Sequence, residues 1–289
     1  MNKKLFFLFL FICFLIELII SPLRVFSFKV CAVISFSLYF IYINLILNKY
    51  SSKLTPKWIF IACLMGCSIL QLPLRIFLSG TLGSLPDFLF HLFGIFMGYL
   101  FFAFYNKFSR TGIVVASLIC CTFLYFKGYD LWLHKLSFGT FTGIVKSSEM
   151  PTFQFTDKDG NTITRKDFEG KYVVFDFWHT SCGVCFQKFP KFEEYNKKYI
   201  LNREVDLYSV NIKLAHDKEG ESFTIIFDRG YSFPTLQGGS TEEAINIFGV
   251  TYYPTVIVLN TAGEMVFRGD MEKAFSFLDS ELKKYSSLN

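Results

Sequence analysis

Five apolar runs, over residues 5–20, 30–47, 58–78, 88–105 and 112–126, fill the first half of this 289-residue chain. Each is close to the roughly 20 residues a helix needs to cross about 30 Å of hydrocarbon. Only helices and closed barrels satisfy every backbone group in lipid, and continuous apolar runs without period-2 alternation select helices. The first half therefore reads as an α-helical transmembrane bundle of about five helices, with the lipid bilayer as its partner. Lys3 and Lys4 ahead of the first run give it the look of a signal peptide. No small-residue cleavage site follows Ile20 and four more runs come after, so it reads as a retained helix.

The charge distribution separates the two halves. Residues 1–139 hold 12 Lys and Arg against 3 Asp and Glu, while residues 140–289 hold 17 against 21. A nucleic-acid partner is excluded, because the later half is acidic and the basic excess sits between apolar runs. The domains expected are a multi-pass membrane domain over 1–127, an amphipathic linker over 128–147 and a soluble domain over 148–289. With five spans and the N-terminus in the cytoplasm, the inner connections carry Lys3, Lys4, Lys49, Lys53, Lys57, Lys107 and Arg110, and the outer ones only Arg24 and Lys29. That bias places the soluble domain outside the cytoplasm.

Glu17, Gln71, Arg75 and His91 are the polar groups that stand out inside the spans. They form no motif, and they read as interhelical glue or interface residues, with Arg75 snorkelling at the outer end of its helix. Cys63 and Cys67 are four apart and share a helix face. With Cys120 and Cys121 they leave an electron relay across the bilayer open, against small apolar residues in a Phe-rich segment.

The soluble half alternates strands and helices. A hairpin is expected over 152–156 and 161–164, a buried strand over 171–178, a helix over 185–200 and a strand over 206–212. A short helix over 242–248, a hairpin over 255–260 and 264–268 and a last helix over 273–284 follow. This order argues for an α/β sheet ending in an antiparallel pair. Between the buried strand and its helix lies Trp178-His179-Thr180-Ser181-Cys182-Gly183-Val184-Cys185. Two residues between the cysteines let the sulfurs meet in the first helical turn, where unpaired amides favour a thiolate on Cys182. Cys182 is then the nucleophile and Cys185 the resolving thiol of a redox disulfide. The pair with His179 could form half a zinc site, but no further ligand is evident, so no metal and no cofactor is expected. An acid inside an apolar strand, Asp176, has to be accounted for. His216 and the other soluble charges read as solvated.

The region from Thr152 onward resembles the thioredoxin-fold TlpA/ResA-like thiol-disulfide oxidoreductases of the redoxin superfamily. The resemblance rests on Asp159-Gly160-Asn161, Phe168-Glu169-Gly170-Lys171, Val173-Val174-Phe175-Asp176-Phe177-Trp178, the Cys182/Cys185 pair and Pro190. It continues through Tyr231-Ser232-Phe233-Pro234, Phe248-Gly249-Val250-Thr251-Tyr252-Tyr253-Pro254-Thr255 and Thr261-Ala262-Gly263-Glu264. It implies an α/β thioredoxin-like domain with Pro254 cis opposite Cys182, and Asp176 exchanging a proton with Cys185. A substrate would dock along Trp178, Gly183, Val184, Tyr253 and Pro254. It implies protein disulfides as substrates, a membrane thiol electron donor, the inner membrane and periplasm of a bacterial envelope, and work in cytochrome c maturation or disulfide repair. The membrane half resembles no family.

The chain departs from that pattern in three places. Gly183-Val184 lacks the proline of Cys-Gly-Pro-Cys, Phe186 and His179 replace commoner neighbours of the pair, and Lys213-Leu214 stand where such domains often carry a buried Glu. A different class of function stays open: a transporter or sensor whose thioredoxin-like domain regulates or docks. The single-cysteine pattern of the superfamily's peroxidases is not seen.

Overall fold

The computed structural model describes residues 2–286, and the chain divides into two compact units between Leu133 and His134. The first unit is helical: α1 (Lys3–Ile20), α2 (Phe28–Tyr50), α3 (Pro56–Phe77), α4 (Leu85–Ala103) and α5 (Lys107–Phe123). A π turn, Leu124–Gly128, joins α5 to α6 (Tyr129–Phe138). The stretch Lys107–Phe138 is the fifth of five helices, among the described residues, that are long and apolar enough to cross a membrane, by length and composition.

The helix starts follow from local chemistry. The side chains of Asn2 and Ser27 accept hydrogen bonds from the backbone N–H groups of Leu5 and Val30, satisfying donors that a first turn leaves unpaired. Prolines occupy the first turns of α3 and α4, where the missing N–H costs nothing. Glycines then set the spacing. A Cβ on Gly66 would lie 2.3 Å from the Leu10 carbonyl oxygen, and Cβ atoms on Gly94 and Gly98 would lie 2.5 and 2.6 Å from those of Phe36 and Phe40. Backbones of α1 and α3, and of α2 and α4, therefore touch where side chains are missing. Phe7, Ile41, Leu45 and Ile69 point outward.

The second unit is built on one sheet of eight strands: β1 (Ile144–Glu149), β2 (Gln154–Thr156), β3 (Thr162–Thr164), β4 (Tyr172–Trp178), β5 (Val205–Asn211), β6 (Thr235–Gln237), β7 (Thr255–Leu259) and β8 (Glu264–Gly269). Their spatial order is β1-β8-β7-β4-β5-β6-β2-β3. Strands β4, β5 and β6 run parallel, and the other neighbours pair antiparallel. Helices α7 (Gly183–Tyr199), α8 (Glu221–Asp228), α9 (Thr241–Phe248) and α10 (Met271–Ser286) complete the unit.

Alternation along β4 assigns its faces. Val174 and Trp178 pack with Phe189, Phe192, Phe275 and Leu278 of α7 and α10. Val173, Phe175 and Phe177 pack on the opposite face with Phe153, Phe155, Phe168 and Phe248. Asp176, between Phe175 and Phe177, is thereby forced onto the face that α7 covers.

Residues 128–147, expected as a linker, hold α6 and the start of β1. The fifth apolar helix runs past 126 to Phe138, because a π turn absorbs Gly128 without breaking the hydrogen-bonded column. Strand β1 carries no apolar alternation and was invisible in the sequence. Gly143, at φ +91° with its Cα against the Phe267 ring, turns the chain into it. Helix α8 and strand β6 are further elements that the sequence pattern did not announce.

Candidate active site

Strand β4 ends at Trp178 and α7 begins at Gly183, so the four residues between them carry the chain from the sheet to the helix. Cys182 is the N-cap of α7, and its sulfur accepts a hydrogen bond from the Cys185 amide at 3.2 Å. The two sulfurs form a disulfide. Cys185 is sealed at 0% exposure and Cys182 retains 7%, so an incoming group can reach only the first sulfur. Gly183 and Val184 lie exposed beside it.

The Tyr253–Pro254 peptide is cis. Phe177 of β4 stands opposite Thr255 of β7, so Pro254 is level with the end of β4 from which the Cys182 loop departs. Tyr253 is half-buried, packs against the cluster that includes both cysteines, and meets the His179 ring edge-on at 4.8 Å. Burial holds His179 below the usual histidine range.

Trp178, expected on the docking surface, is fully buried, with Phe186 and Phe189 edge-on to it at 5.8 and 5.0 Å. It supports the loop from beneath and presents nothing to a substrate, because strand alternation turns it under α7.

Asp176 is buried between Ser209 of β5 and Val256 of β7, and neither carboxylate oxygen has a hydrogen-bond partner among the described residues. Burial pushes it up to about 8, opposed by the Lys188 charge and assisted by that of Glu272. An acid poised there can take or give a proton at neutral pH.

Asp217, expected among the solvated charges, has a side chain only 3% exposed. It accepts hydrogen bonds from the Thr180 hydroxyl at 2.5 Å and the Leu214 amide at 2.8 Å. Exposed His216, also beside Asp217, meets Ser181 at 3.1 Å. The loop after β5 therefore clamps the two residues that precede Cys182. The available signal was an acid three residues beyond Leu214, able to close a turn on its amide.

Residues 147–268 match the AhpC/TSA family. Thiol-disulfide oxidoreductase ResA of Bacillus thuringiensis subsp. konkukian is 27% identical over 180 residues, covering 59% of this chain and 93% of that protein. ResA of Bacillus subtilis is 28% identical over 162 residues, covering 55% and 82%. The C-terminal domain is a TlpA/ResA-like redoxin domain. A solved thiol-disulfide oxidoreductase from Bacteroides fragilis is 21% identical and superposes with a TM-score of 0.41, covering 47% of this chain and 99% of its own. In the TlpA/ResA-like domain here, the disulfide opens α7, the buried acid lies on β4 and the cis-proline immediately precedes β7.

The polar residues of the helical unit, expected as interhelical glue or interface groups, join α1, α3 and α4 in one network. The Arg75 guanidinium donates to the Gln71 side chain rather than snorkelling, and also to Ser84. Gln71 Nε2 donates to Glu17 Oε2 at 2.6 Å. Glu17 Oε1 meets His91 Nδ1 at 2.6 Å, His91 Nε2 meets Asp87 Oδ1 at 3.1 Å, and Asp87 Oδ2 accepts from Arg24 at 2.5 Å. The six cysteines of this unit are free thiols: Cys67 donates to Glu17 at 3.2 Å, Cys13, Cys31 and Cys63 are buried, and Cys120 and Cys121 lie half-buried on α5.

Proposed function

We propose that this chain is a membrane-anchored thiol-disulfide oxidoreductase acting outside the cytoplasm, reducing protein disulfides through Cys182 and Cys185. The observation that carries the reading is the Cys182–Cys185 disulfide at the start of α7, with its first sulfur the accessible one. The names of the ResA relatives agree with it.

In the reaction, the Cys182 thiolate attacks a substrate disulfide. One substrate sulfur leaves as a thiolate and the other stays bound to Cys182. Cys185, its proton taken by Asp176, attacks Cys182 and releases the second substrate thiol. Two electrons have then passed to the substrate, and Cys182–Cys185 is oxidised. A reductant on the oxidising side of a membrane must be recharged through it, which calls for a membrane thiol donor. Five apolar helices and the inward bias of Lys and Arg support this placement. Cytochrome c maturation or disulfide repair would supply substrates of the right kind.

The test is mixed-disulfide trapping in cells. Cys185→Ala should accumulate covalent complexes with client proteins and Cys182→Ala should form none. Equal trapping by both variants would overturn the assigned roles. A potential near the roughly −270 mV of thioredoxin marks a reductant, and one near −120 mV an oxidant.

A further inference from the structure

Three helices of the first unit bring a nitrogen, a sulfur and an oxygen donor to one point. Glu17 of α1, Cys67 of α3 and His91 of α4 are all fully buried, and their donor atoms lie within 4.8 Å of one another. We infer that they form a binding site for a borderline divalent cation of the Zn²⁺ type, with Glu17 Oε1, Cys67 Sγ and His91 Nδ1 as ligands.

The donor set suits such an ion. Zn²⁺ takes carboxylate, thiolate and imidazole together at about 2.0–2.3 Å, which spaces tetrahedral ligands roughly 3.3–3.6 Å apart. Sγ and Oε1 already stand 3.2 Å apart. Nδ1 and Oε1, at 2.6 Å, need to part by less than about 1 Å to reach that spacing.

The surrounding residues are those that orient a metal's ligands. A ligating histidine usually donates its other N–H to a carboxylate, and His91 Nε2 faces Asp87 Oδ1 at 3.1 Å. Asp87 is itself fixed by Arg24. The Glu17 carboxylate is oriented by Gln71 on one oxygen and by the Tyr39 hydroxyl, at 2.8 Å, on the other.

Charge balance permits the exchange. The imidazole lies between two carboxylates, so a proton sits between Nδ1 and Oε1, and a second sits on the Cys67 sulfur. A divalent cation replaces those two protons and leaves the cluster's net charge unchanged, so no extra charge is brought into the apolar interior.

A second grouping, Cys31 with Asp87 and His91, also lies within reach. It is the poorer site, because Arg24 already neutralises Asp87 at 2.5 Å and the Cys31 sulfur is directed to the Ile20 carbonyl and Ser35. Cys31 thus serves as the control position.

The experiment uses the full chain in detergent with Cys182–Cys185 oxidised, so that the soluble thiols cannot bind metal. Titration with Co²⁺ alone should give one equivalent per chain, with a thiolate-to-cobalt charge-transfer band and the intense visible bands of four-coordination. Cys67→Ser and His91→Ala should reduce uptake to background, and Cys31→Ser should leave it unchanged. Asp87→Asn should weaken affinity about 10- to 100-fold. X-ray absorption on the Zn²⁺-loaded unaltered chain needs no variant to fold, and should show one sulfur beside nitrogen and oxygen ligands with imidazole scattering. Absence of cobalt uptake, uptake unchanged in both ligand variants, or a zinc shell without sulfur would overturn the site. None of these outcomes depends on the oxidoreductase reading, which is tested at Cys182 and Cys185.

Discussion

Two regions of this chain bury carboxylates, and they do so in opposite ways. In the helical unit, Glu17 and Asp87 are each held by several partners, and imidazole and guanidinium groups take up their charge. In the sheet unit, Asp176 is as deeply buried and has no hydrogen-bond partner among the described residues. A satisfied buried acid fixes helices against one another. A buried acid without such partners holds its proton up to about neutral pH and can accept one only once ionised. The difference is between burial that ties helices together and burial that raises an acid's hold on its proton.

The comparison can be broken first at Asp176. Its folded value of about 8 lies above the ordinary carboxylate value. The unfolded chain therefore loses this proton first, and stability falls as pH rises from about 4 to about 8. The slope is about 1.4 kcal/mol per pH unit, or up to about 5 kcal/mol across the window. Asp176→Asn should remove that decline, so its advantage over the unaltered protein in urea unfolding should be largest at pH 8 and vanish near pH 4. Parallel pH profiles for the two proteins would show that Asp176 is ionised and paired.

In the helical unit, His91→Leu should act in the opposite sense. It leaves two carboxylates facing one another without the imidazole between them, a loss of about 3–5 kcal/mol, read as a lower denaturation midpoint of the full chain in detergent. A midpoint equal to that of the unaltered protein would remove the contrast. A smaller effect is expected at Asp217, where Ala would free the Thr180 hydroxyl and the Leu214 amide at a cost of about 1–3 kcal/mol. Urea unfolding and the reactivity of Cys182 should both change. The smallest belongs to the half-exposed Lys171–Asp206 pair at 2.9 Å. Lys171→Gln should shift stability by less than about 0.5 kcal/mol, and a larger shift would mean that surface charge carries more of this domain than burial does.

What could be read from the sequence follows the range of the forces involved. Apolar runs and strand alternation are local, so the five helices, β4, β7 and the α7 junction were all legible. The Cys182/Cys185 pair, Asp176 and Pro254 were legible for the same reason, each standing within a short ordered motif. The Glu17–His91 contact joins residues 74 apart, and no periodicity in either helix announces it. Asp217 was missed because its burial depends on where the loop after β5 lands. Trp178 was placed on the wrong side because its neighbours indicate a strand end but do not say which face α7 will cover.

Strand β1 has a consequence for how the second unit exists in isolation. It pairs with β8, Ile144 opposite Phe267 and Ser148 opposite Met265, and so occupies the outermost position on that side of the sheet. A fragment begun at Thr152, where the family motifs start, would lack it. The uncovered β8 would offer a row of free amides and carbonyls, a template for stacking copies edge to edge. Short, irregular between Ile144 and Ser148 and carrying Lys146, β1 is a poorer template for such stacking than the β8 it covers.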